Sequence, residues 1–214
     1  MFDKLSDSKE GKILFESIKR AHKYTAYENK VYPWKYLRGY IGRTIAADYN
    51  TNDYKELEAC KKKIEKTVDY VQEWYQRYYL DDPVGGLPDI EAVQDIEGTS
   101  IFGKLPLVLA EGAPALVMVN SVSPKYWKVF LKDDLESRIY LAFATKYFDT
   151  PVERIIMYRY FGEGVSRTDF SVSDGNKSVF LILKDVFSAI KLDFSYPIRT
   201  ESCKLCRYKD VCKI

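Results

Sequence analysis

Three of the four cysteines lie close together near the end of the chain, as Cys203-x2-Cys206-x5-Cys212. Two thiolates separated by two residues can bind one metal centre, and a third thiolate a few residues on can close around it. The spacing therefore indicates an iron–sulfur cluster or a zinc ion, with a disulfide or unliganded thiols as the alternatives. Candidates for a fourth ligand are Cys60 and the single histidine, His22. Cys60 also fits a buried structural thiol, because it lies on the apolar stripe of a predicted helix.

The segment of residues 20–43 combines positive charge with aromatic rings. Cations neutralise phosphates and aromatic rings stack on bases, so this composition favours DNA binding. The cations are Arg20, Lys23, Lys30, Lys35, Arg38 and Arg43, and the interleaved rings are Tyr24, Tyr27, Trp34 and Tyr40. The alternative is an amphipathic helical surface with tyrosines packed along its border. The lysines at 61–63 are interpreted as a solvated helix face.

The composition excludes some classes of protein. Of the 214 residues, 46% are hydrophobic and 30% are charged, so the chain can bury a core and is not wholly disordered. No apolar run approaches the roughly 18 residues of a membrane span, and the first residues lack the pattern of a signal peptide. We therefore expect a cytoplasmic protein with no membrane association. Many charges beside few amide side chains are typical of thermophilic proteins.

Elements that position these residues are predicted from hydrophobic periodicity and turn signals. Three N-terminal helices are predicted over residues 6–27, 33–48 and 52–79. A loop at residues 83–88 ends this helical part. Four strands are then predicted over residues 100–110, 115–121, 155–160 and 165–172, and two more helices over residues 133–148 and 178–192.

This order of elements predicts a single domain of the α/β (α+β) class. Residues 1–80 form its helical part, residues 81–195 its α/β core, and residues 196–214 a cysteine-bearing tail that packs on the helical part.

The tail from Glu201 to Cys212 resembles the C-terminus of the CRISPR-associated RecB-like nucleases (Cas family four), relatives of the AddB-type iron–sulfur nucleases. In that family this triplet and a distant N-terminal cysteine hold a [4Fe–4S] cluster. Here Ala21 stands at the N-terminal cysteine position, so Cys60, His22 or an outside group would be the fourth ligand. The resemblance also implies a restriction-endonuclease-like PD-(D/E)xK core, which the predicted order of elements matches.

The family's catalytic positions hold unsuitable side chains in this sequence. The resemblance places Ala46 at the family's helix histidine and Pro106 at its metal-binding aspartate. Met118 and Asn120 stand at the acid and the lysine of the family's Glu-x-Lys. Catalytic Mg²⁺ and Mn²⁺ need hard carboxylate oxygens, so we expect neither ion and no nuclease activity.

Two details qualify this alignment. Of the family's Gln-x-x-x-Tyr on the next helix, only Tyr140 is kept, with Glu136 at the glutamine position. In a shifted alignment, Asp95 or Glu97 would supply the metal-binding acid. An active metal-dependent DNA exonuclease is the functional alternative that follows from that shift.

The resemblance implies a DNA-binding protein that has lost the nuclease chemistry. Its DNA cleft would be lined by Arg20, Lys23, Lys35, Arg38 and Arg43, joined by Lys204 and Arg207 of the tail. Archaeal filamentous viruses carry inactivated members of this family as DNA-coating nucleocapsid proteins, which implies a homo-oligomer or filament, in the cytoplasm or the virion. The alternative is a protein-only assembly module or a partner of a CRISPR adaptation protein.

We predict that the chain purified without oxygen is brown, absorbs near roughly 400 nm and carries about four irons, because the tail thiolates bind a [4Fe–4S] cluster. An absorption spectrum and a metal analysis of the same sample measure this. A colourless protein with one zinc ion, or with no metal, would contradict the cluster.

Overall fold

The structure, a computed structural model, describes residues 9–49, 53–96, 98–110, 113–120, 135–161 and 164–172, and four single residues at 181, 184, 185 and 188. Its first part is helical, and its second part combines one sheet with a helix, which gives the expected α+β class. Among the described residues, no helix is long and apolar enough to cross a membrane.

Three α-helices and a π-helical turn form the first part. They are α1 (Lys9–Glu28), α2 (Trp34–Ala46) and α3 (Tyr54–Trp74), with the π-helical turn Tyr75–Tyr79 continuing α3. Apolar residues at steps of three and four bury one side of each helix, as Leu14, Ile18 and Ala21 do in α1. The three predicted N-terminal helices are therefore confirmed over the described residues.

One mixed five-stranded sheet, in the order β1-β2-β3-β4-β5, dominates the second part. Its elements are β1 (Gly86–Ile96), β2 (Thr99–Leu109), β3 (Ala115–Asn120), α4 (Leu135–Phe148), β4 (Arg154–Phe161) and β5 (Gly164–Ser171). Neighbouring strands are antiparallel except β3 and β4, which run parallel because the chain crosses between them through α4. The four predicted strands and the helix predicted at residues 133–148 are confirmed to within a few residues.

Strand β1 is an addition to the predicted elements, and the loop predicted at residues 83–88 is wrong for its second half. Gly86 and Pro88 lie in β1, opposite Leu109 and Leu107 of β2. A Cβ on Gly86 would approach His22 and Leu107 to 3.0 Å, so a glycine here lets α1 and β2 close on this strand. The residues at 181, 184, 185 and 188 are helical, as predicted, whereas the tail at residues 196–214 lies outside the described residues.

Each face of the sheet buries a separate apolar cluster. Leu107, Val117 and Tyr158 pack against α1, α2 and α3 on one face. On the other face, Leu105 and Leu116 pack against Phe143 of α4. The sheet is thus the middle layer between the three N-terminal helices and α4.

The β1–β2 ribbon is distorted where Asp89 lies opposite Pro106. Leu105 and Leu107 are two residues apart yet belong to clusters on opposite faces, so the alternation of side chains is broken between them. Asp89 has a φ of 56°, in the left-handed region that aspartate tolerates better than most residues. Its carboxylate accepts a hydrogen bond from Lys19 of α1 at 3.3 Å and pairs with Lys104 at 3.6 Å, which fixes the distortion to the helical layer.

Two tyrosines of the π-helical turn hold the connection between α1 and α2. The Tyr79 hydroxyl is fully buried, accepts a hydrogen bond from the backbone N–H of Tyr32 at 2.9 Å and lies 2.5 Å from the Thr25 hydroxyl. Tyr75 donates to the Tyr32 carbonyl at 2.7 Å. Both backbone groups of Tyr32 are therefore satisfied from the π-helical turn, and burial raises the pKa of Tyr79.

We predict that Tyr79→Phe lowers the free energy of unfolding by about 1–3 kcal/mol, because it leaves the half-buried N–H of Tyr32 without its acceptor. Urea or thermal unfolding measures the change. Tyr78→Phe is the matched control, since the Tyr78 hydroxyl makes one 3.2 Å hydrogen bond to the Val165 carbonyl from a half-buried position. Equal losses in the two variants would show that the Tyr79 network has no special role.

Candidate functional site

A cavity of about 240 Å³ lies between α1, the middle strands and α4. Strands β2 and β3 pair only at Val108–Leu116 and Leu109–Ala115 among the described residues. Continued by two residues, this register sets Pro106 opposite Met118. The N–H of Ala110 donates to the Gly85 carbonyl on the β1 side, so by alternation the N–H that Pro106 lacks would also face β1, opposite Asp89. Beyond the Val108–Leu116 pair, no described residues of β2 and β3 are paired. The cavity opens where they separate.

The lining of the cavity is mostly apolar and aromatic. Its described residues are Gly11, Lys12, Phe15, Pro106, Met118, Val119, Tyr140 and Tyr160. None of these eight carries a carboxylate, so they offer no hard oxygen ligand to Mg²⁺ or Mn²⁺. Their one charge is the ammonium of Lys12, an exposed side chain on α1.

The structure brings three of the aligned family positions together. Pro106, Met118 and Tyr140 come from β2, β3 and α4, and all of them line the cavity. Asn120 ends β3 two residues beyond Met118. Ala46, by contrast, is exposed at the end of α2 and is not among the lining residues.

The acids of the shifted alignment are placed elsewhere. Asp95 lies six residues along β1 from Asp89, the residue opposite Pro106, which corresponds to roughly 20 Å along the ribbon. Its carboxylate accepts a 2.5 Å hydrogen bond from Ser100 across the ribbon. Glu97 lies outside the described residues.

A second candidate region is the basic surface, defined here as the exposed cations Arg20, Lys23, Lys30, Lys35, Arg38 and Arg43 on and between α1 and α2. Within the described part of the chain, none of the six forms an ion pair. Elsewhere, lysines are paired with acids, as Lys19 is with Glu16 and Asp89. The six cations of the basic surface thus have no acidic partner among the described residues.

Aromatic rings are part of the basic surface, although not all those predicted. Arg20 lies over the Tyr40 ring at 4.1 Å, and Lys35 lies over Tyr36 at 5.0 Å, both within cation–π range. Tyr27 and Tyr36 are 72% and 52% exposed. Trp34 instead packs on Tyr75 beside the core, as the amphipathic alternative expected.

Lys12 and Tyr36 were missed by sequence reasoning. Both are positioned by helix periodicity. Lys12 precedes Lys23 by eleven residues, close to three full turns, and Tyr36 shares a stripe of α2 with Arg43. That periodicity was the signal available in the sequence.

Among the proposed metal ligands, the structure describes only Cys60 and His22. Cys60 is buried in the apolar cluster of the three helices. His22 is buried between Trp74 and Tyr79, and its Nδ1 donates to the Val84 carbonyl at 2.7 Å. In the described part of the chain, no three His, Cys, Asp or Glu side chains cluster as metal ligands. Cys203, Cys206 and Cys212, like Lys204 and Arg207, lie outside it.

A smaller polar cavity of about 100 Å³ is lined by His22, Tyr158, Arg154 and Arg167 among others. Arg154 and Arg167 both donate to the carboxylate of Asp169, at 2.5 Å and 2.7 Å. These hydrogen bonds, above all that from Arg167, hold the pKa of Asp169 below its usual range.

We predict that Asp169→Asn destabilises the fold at neutral pH by less than about 1 kcal/mol, because the ion pairs are partly solvated. The contribution of a carboxylate with a lowered pKa is present above its ordinary pKa and is lost as the pH falls through the lowered one. The difference in unfolding free energy between wild type and variant should therefore shrink on acidification below about pH 4. A difference that grows on acidification would contradict this.

No family model matches the chain, and no curated protein matches it. Among solved structures, that of SSO0001 is similar with a TM-score of 0.41 and 12% identity, over 97% of this chain and 98% of the other. A protein from Eubacterium rectale named "Putative exonuclease" is similar with a TM-score of 0.47 and 12% identity, over 86% of this chain and 77% of the other.

Proposed function

We propose that this chain is a non-catalytic DNA-binding protein built on a nuclease-like α+β core. The observation that carries the proposal is the basic surface. Its six exposed cations make no ion pair with any described residue, and exposed tyrosine rings lie among them. Unpaired cations bind phosphates with release of counterions, and exposed rings offer stacking planes to bases.

The cavity supports the non-catalytic part of the proposal. A metal-dependent nuclease needs carboxylates on adjacent strands, and the aligned positions on β2 and β3 are Pro106 and Met118. Both side chains line the same cavity, as the aligned positions would. With apolar side chains at this point, a divalent ion and its activated water have nothing to bind.

Protein-only assembly is a second candidate, and the outer part of the β1–β2 ribbon favours it. Val93 and Phe102 are opposite each other on the two strands and are 50% and 77% exposed. An exposed apolar cross-strand pair of this kind suits a protein contact. The two candidates are compatible, since the ribbon and the basic surface belong to different elements.

Finer features of the proposal depend on the resemblance of the cysteine tail. These are a DNA-coating role in an archaeal virus with filament formation, a contact with a CRISPR adaptation protein, and cytoplasmic or virion localisation. The [4Fe–4S] cluster, with zinc as the alternative, has the same support. Cys60, one of the candidate ligands, lies in the apolar cluster of the three helices.

We predict that the full chain binds DNA with an affinity that falls linearly with salt on a log–log scale. Arg38→Ala combined with Arg43→Ala should weaken binding and reduce the slope by about 2, since each lost phosphate contact contributes roughly 1. Fluorescence anisotropy with labelled single-stranded and duplex DNA at several salt concentrations measures both quantities.

Lys61→Ala combined with Lys62→Ala is the matched control, because it removes the same charge from an exposed face of α3. Equal losses in the two double variants would contradict the assignment of the surface, and wild-type protein that binds no DNA would contradict the proposed function. Degradation of the DNA when Mg²⁺ or Mn²⁺ is added would contradict its non-catalytic part.

A further inference from the structure

The 240 Å³ cavity has the chemistry of a binding pocket for a flat aromatic group. Pro106, Met118 and Phe15 supply apolar walls, while Tyr140 and Tyr160 supply rings that end in hydroxyls. Pockets for drug-sized ligands have volumes of roughly 300–1,000 Å³, so this one is sized for a single ring system. The rest of a larger ligand would have to stay outside the mouth.

Charge at the mouth indicates what that remainder would be. Lys12 is exposed on α1. It is the one charged side chain among the described residues of the lining, which include no Asp or Glu that would repel an anion. A ligand whose ring enters the cavity therefore meets a cation at the point where the ring joins the rest of the molecule. A nucleotide has this arrangement, with a planar base attached to an anionic backbone.

Helix α1 connects the cavity to the basic surface. Lys12 and Lys23 are eleven residues apart, which places them on the same side of α1 about 16 Å from each other. Arg20, also exposed, lies between them. A strand bound at Lys23 and Arg20 and continuing along α1 would bring its next phosphates to Lys12.

We propose that the cavity binds one unstacked nucleobase of single-stranded DNA, with Lys12 holding the adjacent phosphate outside. This inference rests on the proposed DNA-binding function and adds a strand preference to it. Paired bases in a duplex cannot enter without being extruded, whereas a single strand gives up only stacking. Stacking of one base on protein aromatic rings is worth roughly 5- to 150-fold in affinity.

The direct test is photocrosslinking of the full-length wild-type chain to a single-stranded oligothymidine that carries one 5-iododeoxyuridine, followed by mass spectrometry. The proposal expects crosslinks at Tyr140 or Tyr160, whose rings line the cavity. Crosslinks confined to the exposed rings of the basic surface, such as Tyr27 and Tyr36, would overturn it.

Two variants test the same point through affinity. Met118→Trp fills the cavity and should weaken binding of oligothymidine by about 5- to 150-fold, with duplex affinity unchanged and folding checked by thermal unfolding. Lys12→Ala, on the exposed mouth, should reduce the single-strand salt slope by roughly 0.7, whereas Lys61→Ala on α3 should not. Unchanged single-strand binding in Met118→Trp and Lys12→Ala would overturn the pocket and leave the proposed function standing. Wild-type chain that binds neither DNA would overturn both.

Discussion

The separation of β2 from β3 beyond the Val108–Leu116 pair is the constraint around which the candidate site is arranged. Pro106 lies just past this pair, and the N–H that it lacks would face β1, as the Ala110 N–H faces Gly85. The face of the side chains reverses at this proline, between Leu105 and Leu107. Asp89 on the opposite strand takes up the distortion with a positive φ and accepts Lys19 and Lys104. The opening between β2 and β3, the reversal of the side chains and the ion pairs to α1 therefore lie at one point of the sheet.

The helical layer depends on buried tyrosine hydroxyls rather than on apolar packing alone. Tyr75 and Tyr79 satisfy both backbone groups of Tyr32, and this fixes the segment between α1 and α2. The basic surface is built on these two helices, so its cations are presented by a rigid support. Arg20 over the Tyr40 ring couples the two helices directly. Positive charge that is dense in the sequence thereby becomes one surface rather than two.

The basic surface and the cavity differ in charge, and the proposed function requires both. The basic surface is cationic and exposed, and its cations make no ion pair with another described residue, which suits a polyanion of any sequence. The described lining of the cavity is mostly apolar, with the Lys12 ammonium as its one charge, which suits one uncharged ring. A nucleic acid strand has both features, a charged backbone and flat bases, and α1 runs from one region to the other.

Much of this could be read from the sequence, because helix periodicity and strand alternation are local properties. They predicted α1, α2, α3, α4 and four strands, and the alternation failed only for β1. The β1 segment contains Pro88, Asp89 and a run of acids, which do not alternate as a strand does. It forms a strand because β2 pairs with it. The basic surface was also predicted, since its cations lie close together in the chain. The sequence did not predict that Tyr27 is exposed whereas Trp34 packs beside the core.

The cavity required the tertiary structure. Its lining residues are spread from Gly11 to Tyr160, and they meet only because β2, β3 and β4 are neighbours in one sheet between α1 and α4. By itself the sequence determined the side chains at Pro106 and Met118, and so the lack of hard metal ligands at those positions. Only the fold decided that these side chains face one another across an opening, because a register between strands is a property of pairing and not of either strand alone.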